Sequence, residues 1–156
     1  MSHIIFICNA NMCRSPMAEG LLRSELSKNG MQNIAVSSMG IHAQDGNGAT
    51  ENAVEICSEH GIDISAHRSR HLIPEELKNS HLILTMEPVQ VDYLILFFPQ
   101  VAERTFMLGA WPDPKSRKAT IKDPVGKSIE VYRKSFSVLQ HHIDRLMPEF
   151  IERYRS

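Results

Sequence analysis

Apolar and polar positions along this chain fall into blocks whose period switches repeatedly between that of a strand and that of a helix. His3 to Cys8 is a short β-rich apolar run that opens straight into a polar loop. Beyond the loop, Met17, Leu21, Leu22 and Leu26 recur at helical spacing, with Ser15 suited to the N-cap and Pro16 to the first helical turn. This unit reads strand, loop, helix. Asn29-Gly30 closes the helix, Ile34 to Ser37 offers a second strand, and Thr50 with Glu51 to His60 reads as a second helix stopped by Gly61.

The alternation continues. Pro74 to Lys78 forms a short helix, His81 to Thr85 a buried strand, and Glu87 to Phe98 a helix, although its segment Tyr93 to Phe98 is apolar enough to pass for a strand. Arg104 to Leu108 is the last strand, and Ser128 to Arg153 a long amphipathic helix interrupted or bent at Pro148. Four strands and about five helices in βαβα order point to an α/β fold with a parallel sheet. The long irregular stretch from Gly109 to Lys127, rich in Gly and Pro, has the length of a functional or disordered loop.

Composition narrows the picture. With 156 residues, 42% of them hydrophobic, one globular domain spanning residues 1–156 is expected. A formal net charge of -1 supplies no excess of Lys and Arg to neutralise a nucleic-acid backbone, so an anion site must be small and local. No apolar run approaches the roughly 20 residues needed to cross a bilayer, and a signal-peptide core is missing, so a cytoplasmic location without membrane insertion is expected. Three cysteines in such a chain argue for reduced thiols rather than a disulfide framework. The eight histidines are scattered and pair with no cysteines at ligand spacing, so neither a metal nor another cofactor is expected.

Thiol chemistry then has an obvious place. Ligands of doubly wound sheets bind at the carboxyl ends of the strands, where a helix N-terminus presents free amides to an anion. The loop Cys8-Asn9-Ala10-Asn11-Met12-Cys13-Arg14-Ser15 lies there. Its five residues between Cys8 and Arg14 can curl into a nest of N–H groups around a phosphoryl group, closed by a bidentate Arg14. Such positive surroundings favour a thiolate, which makes Cys8 a nucleophile facing phosphorus. Against this stands the plain alternative of a buried cysteine ending a strand; the combination of strand, loop and helix favours the chemical reading. Met12 and Met17 read as packing residues and Cys57 as core.

The run from Cys8 to Glu19 resembles the N-terminal signature of the low-molecular-weight protein tyrosine phosphatases. The likeness extends through Ser38-Met39-Gly40, Glu59-His60-Gly61-Ile62-Asp63, His67-Arg68-Ser69-Arg70, the strand His81 to Thr85 and Asp123-Pro124-Val125-Gly126. The resemblance implies a three-layer αβα, flavodoxin-like fold with a four-stranded parallel sheet, and two-step hydrolysis of phosphate monoesters through a phosphocysteine. It makes Cys8 the nucleophile, Arg14 the phosphate-binding arginine and Asp123 the general acid, with Asp113-Pro114 as the competing Asp-Pro pair. Asn11 would hold the loop in a left-handed turn, Ser15 would hydrogen-bond the thiolate as well as cap the helix, and His67 would support the loop. Ser37 or Ser38 would join the same polar network, and Cys13 would form a reversible disulfide with oxidised Cys8. The partners implied are phosphorylated proteins, a tyrosine kinase among them.

The chain also departs from the family pattern. Ala10 stands where glycine is usual, and at positive φ its Cβ would cost on the order of 1–2 kcal/mol. Ile41-His42-Ala43-Gln44 and Val125-Gly126 lack aromatics that commonly line a phosphotyrosine slot. Three other readings remain open: a protein-arginine phosphatase, against which bulky Met12 weighs; an arsenate reductase, which would need cysteines that Thr85 to Pro99 lacks; and a non-catalytic phosphate-binding module, motivated by Ala10.

Overall fold

Ile4, Phe6 and Cys8 point to one face of the first strand and Ile5 and Ile7 to the other, and all are buried, so this strand must be covered on both sides. The computed structural model describes residues 1–113 and 119–155 and shows how that is done. Strands β1 (Ser2–Cys8), β2 (Ile34–Gly40), β3 (Leu82–Thr85) and β4 (Thr105–Met107) form one parallel sheet in the order β2-β1-β3-β4. Helices α1 (Arg14–Lys28), α2 (Glu51–Glu59), α3 (Pro74–Lys78), α4 (Pro88–Phe97) and α5 (Ile129–Tyr154) complete the layers. Ile4 and Phe6 meet Met17, Leu21 and Leu22 of α1, Ile56 of α2, and Phe136, Leu139 and Ile143 of α5. Ile5 and Ile7 meet Leu77 of α3 and Leu94 of α4. The result is the expected three-layer αβα, flavodoxin-like arrangement. No helix among the described residues is long and apolar enough to cross a membrane.

Three details differ from the sequence expectations. β2 continues past Ser37 to Gly40, because its partner β1 offers a rung for every residue up to Cys8. A 3₁₀ turn, Pro99–Arg104, intervenes between α4 and β4. Finally, α5 is not interrupted at Pro148 but runs on to Tyr154. A proline removes one helical hydrogen bond, whereas the buried residues on both sides of it, Leu146, Met147 and Phe150, keep the helix seated on the sheet.

Topology fixes where a site must form. The connections from β1 and β3 leave on opposite faces of the sheet, opening a crevice at the carboxyl ends of these adjacent strands, where the Cys8–Ser15 loop lies. The chain after β2 lies against that loop: Ile41 N donates to Cys8 O at 3.1 Å and His42 N to Asn9 O at 2.9 Å. Gly40 permits the approach, since a Cβ there would stand 2.5 Å from Asn9 O and 2.9 Å from Asn11 N, both backbone atoms. Gly40→Ala is therefore expected to lower stability by about 1–3 kcal/mol through overpacking. Urea unfolding measures this, and an unchanged midpoint would show that the loop has room to move.

Candidate active site

Asn11 alone among the described non-glycine residues has positive φ, at 58°. Asparagine tolerates this left-handed geometry, and here its whole side chain is engaged. Arg70 N donates to Asn11 Oδ1 at 2.9 Å, while Asn11 Nδ2 donates to Ser15 Oγ at 2.7 Å and to Ser38 Oγ at 2.9 Å. His67 Nε2 lies 2.7 Å from Asn11 O; because a carbonyl only accepts, this ring nitrogen carries the hydrogen. Arg70 is held in turn by Glu76, whose carboxyl it keeps below the usual carboxylate range, and by Ser38 O.

This network sets the polarity at Cys8. Ser15 Oγ receives the amide hydrogen of Asn11, which leaves its own hydrogen for Cys8 Sγ at 2.9 Å. The hydroxyl is thereby aimed at the sulfur as a donor. The same demand removes Ser15 from the N-cap position expected of it. Helix α1 begins two residues earlier, with Cys13 as N-cap and no side-chain capping bond, because the serine hydroxyl is committed to the loop.

Arg14 carries the positive charge of the site and is 1% exposed. Its Nη1 donates to Glu87 and, at 2.8 Å, to Ile121 O. Its Nη2 lies 3.5 Å from Asp123 Oδ2, and its buried Nε has no protein partner. One edge of the guanidinium is thus fixed by protein, and the other keeps two donors for an anion. Asp123 reaches this place because Ile121 N is pinned to Met86 O at 2.9 Å. Asp123 Oδ1 also accepts from Val125 N at 3.0 Å, so the residue forms the Asp-Pro turn and faces the arginine at once. In the competing pair, Asp113 is described but Pro114 lies outside the described residues.

Several expectations change at this level. Ala10 does not adopt positive φ and is exposed, so its Cβ strains nothing: the turn that needs left-handed geometry is one residue further on, at Asn11. Of the two serines, Ser38 joins the network, whereas Ser37 faces His3 and Glu76 instead, at 2.7 and 3.0 Å. Met17 is fully buried and Met12 half-buried against the core, and Cys57 sits inside α2 with its thiol pushed up to about 12 by burial. Cys13 Sγ turns to Tyr132 Oη at 3.2 Å and Thr50 Oγ1 at 3.5 Å. Burial pushes this thiol up as well, and pushes the Tyr132 phenol to about 12.

Glu87 and Gln90 were not anticipated. Gln90 is fully buried, accepts from Met86 N and Glu87 N at 2.8 and 3.0 Å, and donates to Asn9 Oδ1 at 2.9 Å. A readable signal exists, because Glu-Pro-x-Gln is a capping box with proline at the first helical position. That pattern marks the start of α4 but says nothing of the arginine it will meet.

Comparison with known proteins agrees with this geometry. Residues 3–155 match the family described as low molecular weight phosphotyrosine protein phosphatase. The chain belongs to this family. It is 33% identical to the probable low molecular weight protein-tyrosine-phosphatase EpsP of Ralstonia nicotianae, over 93% of each chain. It is 35% identical to a protein-arginine-phosphatase of Geobacillus stearothermophilus, over 92% of each. The crystal structure of the low molecular weight protein tyrosine phosphatase from T. tengcongensis superposes with a TM-score of 0.88 at 33% identity, covering 96% of this chain and 99% of that one. This phosphatase fold therefore carries a Cys-x5-Arg loop whose arginine is clamped by Glu87.

Neutralising that clamp should be visible. Glu87→Gln retains the shape but removes the charge facing Nη1, and Arg14 is expected to lose its orientation. A fall in kcat/KM for p-nitrophenyl phosphate on the order of tenfold to a hundredfold is predicted. Wild-type kinetics in this variant would show that Ile121 O and the loop hold the arginine unaided.

Proposed function

We propose that this protein hydrolyses phosphotyrosine in proteins through a phosphocysteine formed on Cys8. The observation that carries the proposal is the pairing of Cys8 Sγ with the Ser15 hydroxyl beside a buried arginine that keeps donors free. The phosphoryl oxygens lie on the loop amides and on Nε and Nη2 of Arg14. Cys8 attacks phosphorus in line, the bond to the leaving oxygen breaks, and Asp123 delivers its proton to that oxygen. Asp123, now ionised, takes a proton from water as the water attacks the phosphocysteine, releasing phosphate and the thiolate.

An aryl phosphate is favoured because Met12, half-buried in the loop, offers no hydrogen-bonding group to a guanidinium. The 35% identity to a protein-arginine-phosphatase supports phosphoarginine as the second substrate class. The other two readings lose their motives: Cys57 is sealed in α2 and the segment from Thr85 to Pro99 supplies no resolving cysteine for an arsenate reductase, and Ala10 does not distort the loop. The physiological partners follow as phosphoproteins, with a tyrosine kinase among them, in the cytoplasm.

A side-by-side kinetic panel of phosphotyrosine, phosphoserine and phosphoarginine peptides tests the assignment. Phosphotyrosine turnover is expected to dominate, to vanish in Cys8→Ser and to fall by about 10²–10⁴ in kcat in Asp123→Asn. Equal or faster turnover of phosphoarginine peptides would overturn the substrate assignment.

The same loop supports reversible oxidation. Peroxide converts the Cys8 thiolate to a sulfenic acid, and the Cys13 thiol then displaces water to form a disulfide, which dithiothreitol reduces. Activity after peroxide and dithiothreitol should recover more fully in wild type than in Cys13→Ser; equal recovery would remove Cys13 from this role.

A further inference from the structure

Helix α4 leaves more apolar surface uncovered than any catalytic duty requires. Its sequence, Pro-Val-Gln-Val-Asp-Tyr-Leu-Ile-Leu-Phe, contains one charged residue, and only Gln90 and Leu94 are fully buried. Of the nine large apolar side chains exposed among the described residues, four lie here: Val89 at 57%, Ile95 at 41%, Leu96 at 72% and Phe97 at 58%. Val89, Tyr93, Leu96 and Phe97 are spaced to share one helical face, within an arc of about 100°. Exposed contiguous apolar surface of this kind marks an interaction site more often than chance exposure does.

The stripe is continuous with the mouth of the catalytic loop. Its first residue, Val89, is two positions from the Arg14 clamp at Glu87 and adjacent to Gln90, which grips Asn9. At mid-length the Tyr93 ring meets His42 edge-on at 6.1 Å, and His42 N is bonded to Asn9 O. Tyr93 in turn contacts the Phe97 ring at 4.7 Å. An apolar track therefore leaves the loop and follows the helix for about 12 Å, the span of three to four extended residues.

We propose that this face of α4 is a docking strip for apolar side chains that flank the phosphorylated residue of a protein substrate. The proposal rests on the reading of the Cys8–Ser15 loop as a phosphatase site and adds to it a basis for choosing substrates. A membrane surface suits the strip less well, because α4 carries no Lys or Arg to meet anionic lipid.

The test uses the full chain and the double variant Leu96→Ser/Phe97→Ser, both exposed positions outside the catalytic loop. Two phosphotyrosine peptides are compared, one flanked by Leu, Val and Phe, the other by Ser, Gly and Asn, with p-nitrophenyl phosphate as a flank-free control. Wild type is expected to show a KM about tenfold lower for the apolar peptide, the size of effect that burying an apolar side chain produces. The variant should lose that advantage while keeping its kcat and its rate on p-nitrophenyl phosphate. Equal KM values for the two peptides in wild type, or an undiminished preference in the variant, would overturn the proposal. A wild-type dimer that dissociates in the variant without any change in peptide KM would also overturn it, by assigning the face to a second copy of the chain. Failure of wild type to hydrolyse p-nitrophenyl phosphate would instead bring down the catalytic reading, and the strip with it.

Discussion

The site depends on one side chain whose every polar atom is engaged. Asn11 holds a left-handed turn that side chains seldom adopt, and it does so because Arg70, Ser15, Ser38 and His67 bond its amide and carbonyl. A turn of this kind reverses the direction in which successive amides point, which converts a strand end into a concave anion site. The network also orients the Ser15 hydroxyl toward Cys8. Left without partners, the buried amide would cost about 1–3 kcal/mol for each unsatisfied group, and the turn would relax.

Charge follows from the same economy of contacts. Arg14 is buried and can remain charged there because Glu87 and Asp123 come from two other segments, one at the start of α4 and one beyond Ile121. Burying a cation is tolerable when it is paired and hydrogen-bonded. The arrangement leaves Nε and one side of Nη2 to an incoming oxyanion, so the pairing that stabilises the arginine also aims it. Cys13, one residue away, is treated differently: burial keeps it a thiol, even though Tyr132 and Thr50 hydrogen-bond its sulfur.

Much of this is legible in the chain because it is local. The β-rich run into Cys8, the polar loop and the helix after Pro16 share one stretch of sequence, and the sheet follows from repeating that pattern. What escaped reading depends on residues that meet only after folding. Glu87 carries a recognisable capping signal, yet its contact with Arg14 spans 73 positions. Tyr132 is one residue in an amphipathic helix until Cys13 is packed beneath it. Ser15 reads as a cap because serine caps are common, and the competing demand from Asn11 has no sequence signature. Ala10 shows the reverse case: a departure from a familiar pattern suggests strain that the backbone does not contain.

The α4 strip belongs to the same logic. A helix whose buried side is fixed by Gln90 and Leu94 is rigidly joined to the loop, so whatever binds its outer face is placed at a defined distance from Cys8. Catalysis through this loop requires that Cys8, and not Cys13 or Ser15, receive the phosphoryl group. Acid quenching of wild-type enzyme during turnover of a phosphotyrosine peptide, followed by mass spectrometry of the proteolysed chain, observes this directly. Phosphate is expected on the sulfur of Cys8; phosphate on Cys13 or Ser15, or none on any residue of the loop during steady turnover, would contradict a phosphocysteine mechanism.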